Sequence, residues 1–304
     1  MHRPFSHCTV LIAVLAIIPL LSMCRRSGDT TFSDDADYAD TLTHHARLLT
    51  IADTGHGTVR VDIGAPDSET PVARFALVHN DSVIPDGIAA DIKIIRTPVS
   101  SAAVFSSVHT GALNELDALD ALSAIADADY LSSTDTVAAL VASGKVMAVG
   151  PSQSPSAERL ASSMAQIVLS TPHDGMTMPK LPENMTVIPC TDYLENSPIA
   201  RAEWILLFGE LFDKRDEARR IFTDVIDEYT DLCYKASGAT SPSPKVLTEA
   251  ETSGVWYVPA GHSYMARMLA DAGAEYPWAD TDGTGSLPLS LETVAEKAID
   301  ADIW

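Results

Sequence analysis

The sequence predicts an α/β protein of two Rossmann-like lobes, with mostly parallel sheets, joined by one long rigid helix. Three observations carry this. Strand and helix patterns alternate from Pro98 onward, a long amphipathic stretch covers residues 200–235, and a shorter α/β pattern resumes after the Ser/Pro-rich segment 237–244. Strands alternating with helices imply parallel pairing through right-handed crossovers.

The elements follow in order. Residues 1–23 have the layout of an export signal: a basic start at His2 and Arg3, an apolar run over 10–21, then Leu21-Ser22-Met23-Cys24. The run is shorter than the roughly 20 apolar residues of a spanning helix. A cysteine stands at the cleavage boundary, so lipidation of Cys24 is expected, which anchors the chain at a membrane surface without crossing it. Residues 24–40 are polar and poor in aliphatics, the composition of a tether. No later stretch is apolar for long enough to span, so everything after Cys24 is expected to be water-soluble.

The large lobe is expected over 41–198. Short β patterns at 59–63, 75–78 and 92–95 come first, separated by Asp81 and by Pro85-Asp86-Gly87. Residues 104–107 then read as a buried strand. Residues 112–125 read as a helix, because Leu113, Leu116, Leu119 and Leu122 recur at three-residue steps. Helices at 137–142 and 158–166 alternate with strands at 146–149, 167–170 and 187–190. In the connector, 199–236, Ala218, Ile221, Phe222, Val225, Ile226, Tyr229 and Leu232 keep helical spacing while Glu217, Arg219, Arg220 and Asp224 fill the other face. The small lobe, 237–304, reads as strands at 246–248 and 255–258, a helix over 262–274 stopped at Gly273, a helix over 291–299 and a strand beginning at 301. That is about two βα units, fewer than a sheet covered on both faces needs, so the second lobe is expected to be incomplete.

Acidic residues number 42 against 20 basic ones. Loss of residues 1–23 removes only Arg3, which leaves 19 basic residues and a net charge of −23. Nucleic acid is excluded as a partner by that balance. Past Cys8 and Cys24 only Cys190 and Cys233 remain. They could pair in an oxidising compartment, but their spacing matches no zinc pattern, and two buried free thiols are the expected state.

An ordered set of segments carries a family resemblance. It comprises Thr97-Pro98-Val99 with Phe105-Ser106-Ser107-Val108-His109, Pro155-Ser156-Ala157-Glu158-Arg159, and Asp192-Tyr193-Leu194-Glu195-Asn196-Ser197-Pro198 with Arg201-Ala202-Glu203-Trp204. Further on come Trp256-Tyr257-Val258-Pro259, Ser263-Tyr264-Met265, Asp271-Ala272-Gly273, Gly285-Ser286-Leu287-Pro288-Leu289-Ser290-Leu291-Glu292 and Asp300-Ala301-Asp302-Ile303-Trp304. From about residue 48 to its end the chain resembles the periplasmic binding proteins for iron chelates and vitamin B12, the lipoprotein members above all. The resemblance implies two lobes bridged by a helix that flexes little, with the ligand in the cleft between them. It implies an ABC importer permease as partner, and a ligand of the ferric siderophore, haem or cobalamin kind. It also implies that Glu158 and Glu292, one per lobe, form salt bridges with permease arginines, with Glu203 a weaker third candidate. In that family the second lobe continues past the segment matching Asp302-Ile303-Trp304, which again predicts an incomplete second lobe here.

A cleft for a flat chelate wants aromatic walls, since π surface buries much area with little entropy to lose. Trp256, Tyr257, Tyr264 and Trp278 are the candidates, the alternative being that they pack the core. Ser107 and His109 follow the first parallel strand, at the end where open α/β sheets bind ligands. No G-x-S-x-G elbow surrounds Ser106 or Ser107 and no motif places an acidic partner, so catalysis by these residues is not expected and no catalytic residue is named. His262 reads as a helix cap rather than an axial metal ligand. Asp280-Thr281-Asp282-Gly283 starts like a calcium loop but has Leu291 where the closing glutamate belongs. His44-His45 and Gly55-His56-Gly57 lack spaced partners, so no metal site and no resident cofactor are expected. The expected function is a lipid-anchored solute receptor on the periplasmic side of the cell envelope. The alternative is an envelope metalloenzyme on the same scaffold, which clustered His, Asp and Glu ligands would favour.

Overall fold

The computed structural model describes residues 41–130, 136–173, 176–239 and 242–304. The expected signal, Cys24 and the tether lie outside the described residues. The chain opens with a four-stranded sheet in sequence order: β1 (Leu49–Gly55), β2 (Thr58–Ile63), β3 (Ala73–His79) and β4 (Lys93–Thr97). The first two joints are antiparallel and the third is parallel. Gly55, His56 and Gly57 all take positive φ, at 81°, 54° and 72°, to close the β1–β2 hairpin. That backbone requirement accounts for the glycines on either side of His56.

A five-stranded parallel sheet follows, built from β5 (Ala102–Val104), β6 (Leu122–Ile125), β7 (Met147–Ala148), β8 (Ile167–Ser170) and β9 (Thr186–Pro189) in the order β7-β6-β5-β8-β9. Helices α1 (Ser107–Glu115), α2 (Thr136–Ala142) and α3 (Ala157–Ser162) lie between its first four strands along the chain. The winding reverses between β5 and β8. Loops at the carboxyl ends of two such strands diverge and leave a crevice, the usual ligand position in open α/β sheets.

The connector is three helices: α4 (Pro198–Ala202), α5 (Ile205–Leu211) and α6 (Arg215–Ser237). Ser197 starts the first by accepting the Ala200 N–H, with Pro198 in the first turn, where its missing donor costs nothing. Asp213, at φ 57°, turns α5 into α6. A Cβ at Gly209 would sit 2.6 Å from the Ala218 Cβ, so only glycine lets these helices approach so closely. The small lobe carries β10 (Glu251–Thr252), β11 (Val255–Pro259), α7 (Tyr264–Asp271), β12 (Ser286–Leu289) and α8 (Leu291–Ala298). Among the described residues no helix is long and apolar enough to cross a membrane.

Three sequence expectations change. The helix expected over 112–125 ends at Glu115, because Asp117 takes φ 51°, and Leu122 and Ile125 are buried in β6 instead. Leucine spacing alone does not separate a helix from a helix, turn and buried strand. The small-lobe sheet is antiparallel, since Ser253 and Gly254, at φ 54° and 87°, form a two-residue hairpin turn between β10 and β11. The strand expected at 246–248 is reduced to a parallel bridge from Val246 to Ile303.

One apolar cluster joins the two sheets of the large lobe to the connector. It includes Ile51, Phe75, Val104, Ile125 and Leu169 from the strands, and Trp204, Phe208 and Phe222 from the helices. Beside it, two buried carboxylates hold the segment entering β1. Glu203, 1% exposed, accepts the backbone N–H groups of His44, His45 and Ala46 at 2.8, 2.8 and 2.6 Å. Glu195, fully buried, accepts those of Arg47 and Leu48 and the indole N–H of Trp204, each at 3.0 Å. Glu203→Ala is expected to lower unfolding free energy by about 3 kcal/mol, because it orphans three backbone donors at once. Urea denaturation checks this, and a loss below about 1 kcal/mol would leave the three bonds without structural weight.

Candidate functional site in the seam between the lobes

The small lobe meets the large one along α7. Ser263 caps this helix by accepting the Ala266 N–H, which leaves the next residue, Tyr264, at the seam. The Tyr264 N–H donates to the Glu195 carbonyl at 3.1 Å. The Arg201 guanidinium, on α4, lies 4.4 Å from the Tyr264 ring centroid, a cation–π contact. Arg201 is held from behind, its Nε donating to Asp192 Oδ2 at 3.2 Å, while Asp192 Oδ1 lies 3.0 Å from His109 Nε2. Burial by itself raises the Asp192 carboxyl, but the His109 hydrogen bond and the charges of His109 and Arg201 outweigh it and hold the group below the ordinary aspartate value. Further along, the Tyr229 hydroxyl of α6 donates to Asp271 at the end of α7 at 2.9 Å. Burial and that carboxylate raise the Tyr229 phenol far above its usual value, so it remains a donor at every physiological pH.

Two cavities flank α7. One, of about 320 Å³, is mostly apolar and lined by Val108, His109, Trp204, Phe208, Phe222 and Tyr264 among others. The other, of about 710 Å³, is a groove walled by both lobes. Arg47, Ala65 and Asn196 stand on the large-lobe side, with His262, Arg267 and Thr284 opposite. Gly261 closes its floor: a Cβ there would lie 2.2 Å from the Ala279 carbonyl oxygen, so only glycine lets the loop fold back. A volume in this range suits a ligand of a few tens of heavy atoms.

The residues singled out from sequence fall in different places. Ser107 is exposed at the start of α1, at the strand-order reversal. His109 and Tyr264 are brought together in the smaller cavity. Trp256 and Trp278, 8% and 3% exposed, belong with Tyr276 and Val258 to the core of the small lobe, so their rings pack inside it. Tyr257 alternates to the outer face of β11 and is 48% exposed. His262 sits one residue ahead of the capping Ser263 and caps nothing itself. Glu158 and Glu292 are exposed in the first turns of α3 and α8, behind Ser156 and Ser290. The Glu292 carboxylate is held below its usual range by its own backbone N–H and the Ser290 hydroxyl. Glu203 is enclosed by three backbone donors, which removes it as a docking candidate. Cys190 lies in the large-lobe core and Cys233 half-buried on α6, both as free thiols. Among the described residues no three His, Cys, Asp or Glu side chains converge as a metal site.

Reasoning from sequence missed Arg47, Asn196, Arg201 and Arg267. A search for aromatic walls passes over all four, and Arg201 and Arg267, on helices, read first as solvated charges.

A family model described as periplasmic binding protein matches residues 103–304. The chain belongs to the periplasmic binding protein family. An uncharacterized lipoprotein of Methanocaldococcus jannaschii is 29% identical over 248 residues, which cover 76% of this chain and 58% of that protein. The chain thus spans less than two thirds of that relative's length. A periplasmic binding protein from Veillonella parvula shares the fold, with a TM-score of 0.57 at 16% identity, over 81% of this chain and 76% of the other. An ABC-type Fe3+-hydroxamate transport system from Saccharomonospora viridis is similar at a TM-score of 0.49 and 22% identity, over 68% and 73% of the two chains.

The Asp192 ion pairs bear directly on acid stability. A carboxyl whose pKa is lowered on folding stabilises above its unfolded value and loses that contribution as pH falls through the folded one. The loss is therefore expected below about pH 4. Asp192→Asn should cost on the order of 2 kcal/mol at pH 7, with the gap from the parent narrowing toward pH 3. Thermal melts across that range check it, and a gap independent of pH would show that the Asp192 charge contributes nothing.

Proposed function

We propose that this chain is the substrate-binding component of an ABC importer, capturing a metal chelate of the ferric siderophore, haem or cobalamin kind between its lobes and delivering it to a permease. The observation that carries the reading is the groove of about 710 Å³, walled by both lobes of a periplasmic binding protein fold. A ligand that touches both walls favours whichever lobe arrangement brings them closest, and that differential affinity is the signal a permease can read. Ser107, near the strand-order reversal, and His109 and Tyr264, in the smaller cavity beside α7, are proposed as further ligand-side residues outside the groove itself. Trp256, Tyr257 and Trp278 shape the small lobe from within or from its outer face.

The permease contact is assigned to Glu158 and Glu292. Each is exposed at a helix start, in a different lobe, so together they report lobe separation to a pair of fixed arginines. Glu158→Lys with Glu292→Lys should leave the Kd for a bound chelate within about twofold and abolish uptake by cells. Uptake that survives both reversals would reduce the two glutamates to helix-dipole partners.

Anchoring is assigned to a lipid on Cys24, which places the protein on the periplasmic side of the envelope. Cys24→Ala should move it from the membrane to the soluble fraction, and retention through a carbonate wash would contradict the anchor.

A further inference from the structure

We infer that the smaller cavity beside α7 is a second binding site for a small amphiphile: a monocarboxylate with an aliphatic tail, its carboxylate on Arg201 and its tail among the aromatic rings of the connector. This goes beyond the importer reading, since no residue lines both this cavity and the interlobe groove.

The walls are mostly apolar. Trp204, Phe208 and Phe222 from the connector, Val108 and Ala112 from α1 and Met268 from α7 help enclose about 320 Å³. Protein interiors leave few voids larger than a water molecule, and an apolar hollow stays dry and takes up apolar guests. The volume lies at the lower end of small-molecule sites, with room for about ten to fifteen non-hydrogen atoms. Val108, Val225 and Met268, all part of the lining, are 52%, 38% and 38% exposed. The wall therefore continues into solvent as an apolar rim, a path for a tail to enter.

The polar groups of the lining form one linked set, His109, Asp192, Arg201 and Tyr264. Both Asp192 oxygens are occupied, Oδ1 by His109 Nε2 at 3.0 Å and Oδ2 by Arg201 Nε at 3.2 Å. The guanidinium is located from two sides, by that bond and by the Tyr264 ring, whose centroid lies 4.4 Å from its carbon. Among the described residues neither the Arg201 Nη nitrogens nor the Tyr264 hydroxyl has a hydrogen-bond partner. The open positions are donors, and a guanidinium fork with free N–H groups matches a carboxylate in two parallel bonds. Asp192 already offsets part of the positive charge here, so a singly charged head fits better than a doubly charged one.

The alternative is a packing gap at the seam, with Arg201 serving only to tie α4 to α7. Against it, a gap left by imperfect packing has no reason to collect its unfilled donors in one linked set while the rest of its wall is aromatic and aliphatic. That division between one polar end and an apolar body is the shape of an amphiphile.

The test titrates the full chain by calorimetry with two probes that share a tail, sodium octanoate and 1-octanol. The expected result is octanoate binding about tenfold or more tighter than 1-octanol, a preference that Arg201→Gln removes by bringing the two within about twofold. Val225→Trp, at an exposed rim position, should weaken both probes about tenfold or more by filling the mouth. Thermal melts should show each variant folded. 1-Octanol binding as tightly as octanoate, or a preference for octanoate that survives Arg201→Gln, would overturn the carboxylate assignment. Binding of neither probe by the parent chain, or binding untouched by Val225→Trp, would overturn the site itself.

Discussion

Glu203 faces three backbone N–H groups of residues 44–46, and Glu195 faces two more, of residues 47 and 48, together with the Trp204 indole. The whole arrangement depends on this pair. Five consecutive donors that no strand or helix satisfies are met by two carboxylates from one short segment, which fixes the entry to β1 against the connector. A buried carboxylate is tolerated only when its lone pairs are filled, and backbone donors fill them without adding a counter-charge. The Glu195 carbonyl then accepts the Tyr264 N–H, so the same residue positions the small lobe.

The seam follows from that placement. His109, Asp192, Arg201 and Tyr264 form a line from the first helix of the parallel sheet to the first turn of α7. Tyr229 and Asp271 repeat the tie further along the connector. With these two links and the 23-residue α6 beside α7, the small lobe is tied to the connector at two places. The groove beside α7 lies between these walls.

Much of the fold was legible in the sequence. The alternation after Pro98 gave the parallel sheet, and the spacing from Ala218 to Leu232 gave the connector, because amphipathic period and strand length are local properties. The ordered motifs from Phe105 to Trp304 gave the family. Local signals failed where two structures share one pattern. Leu113 to Leu122 keeps helical spacing across a helix end and a strand, and β1 was passed over because its polar residues Thr50, Asp53 and Thr54 dilute its apolar ones.

The candidate site divides in the same way. By itself the sequence placed helix starts close to Glu158 and at Leu291, since capping is a short-range matter, but it put the cap of α7 on His262 where the structure has Ser263. It also determined that Glu158 and Glu292 sit beside such starts. Only the tertiary structure decided that Trp256 and Trp278 face the core while Arg47 and Arg267 line the groove. Arg47 and Arg267 are separated by 220 positions along the chain, and what brings them to opposite walls of one cavity is the docking of α7 on Glu195. That contact is made between lobes, and no spacing within either lobe encodes it.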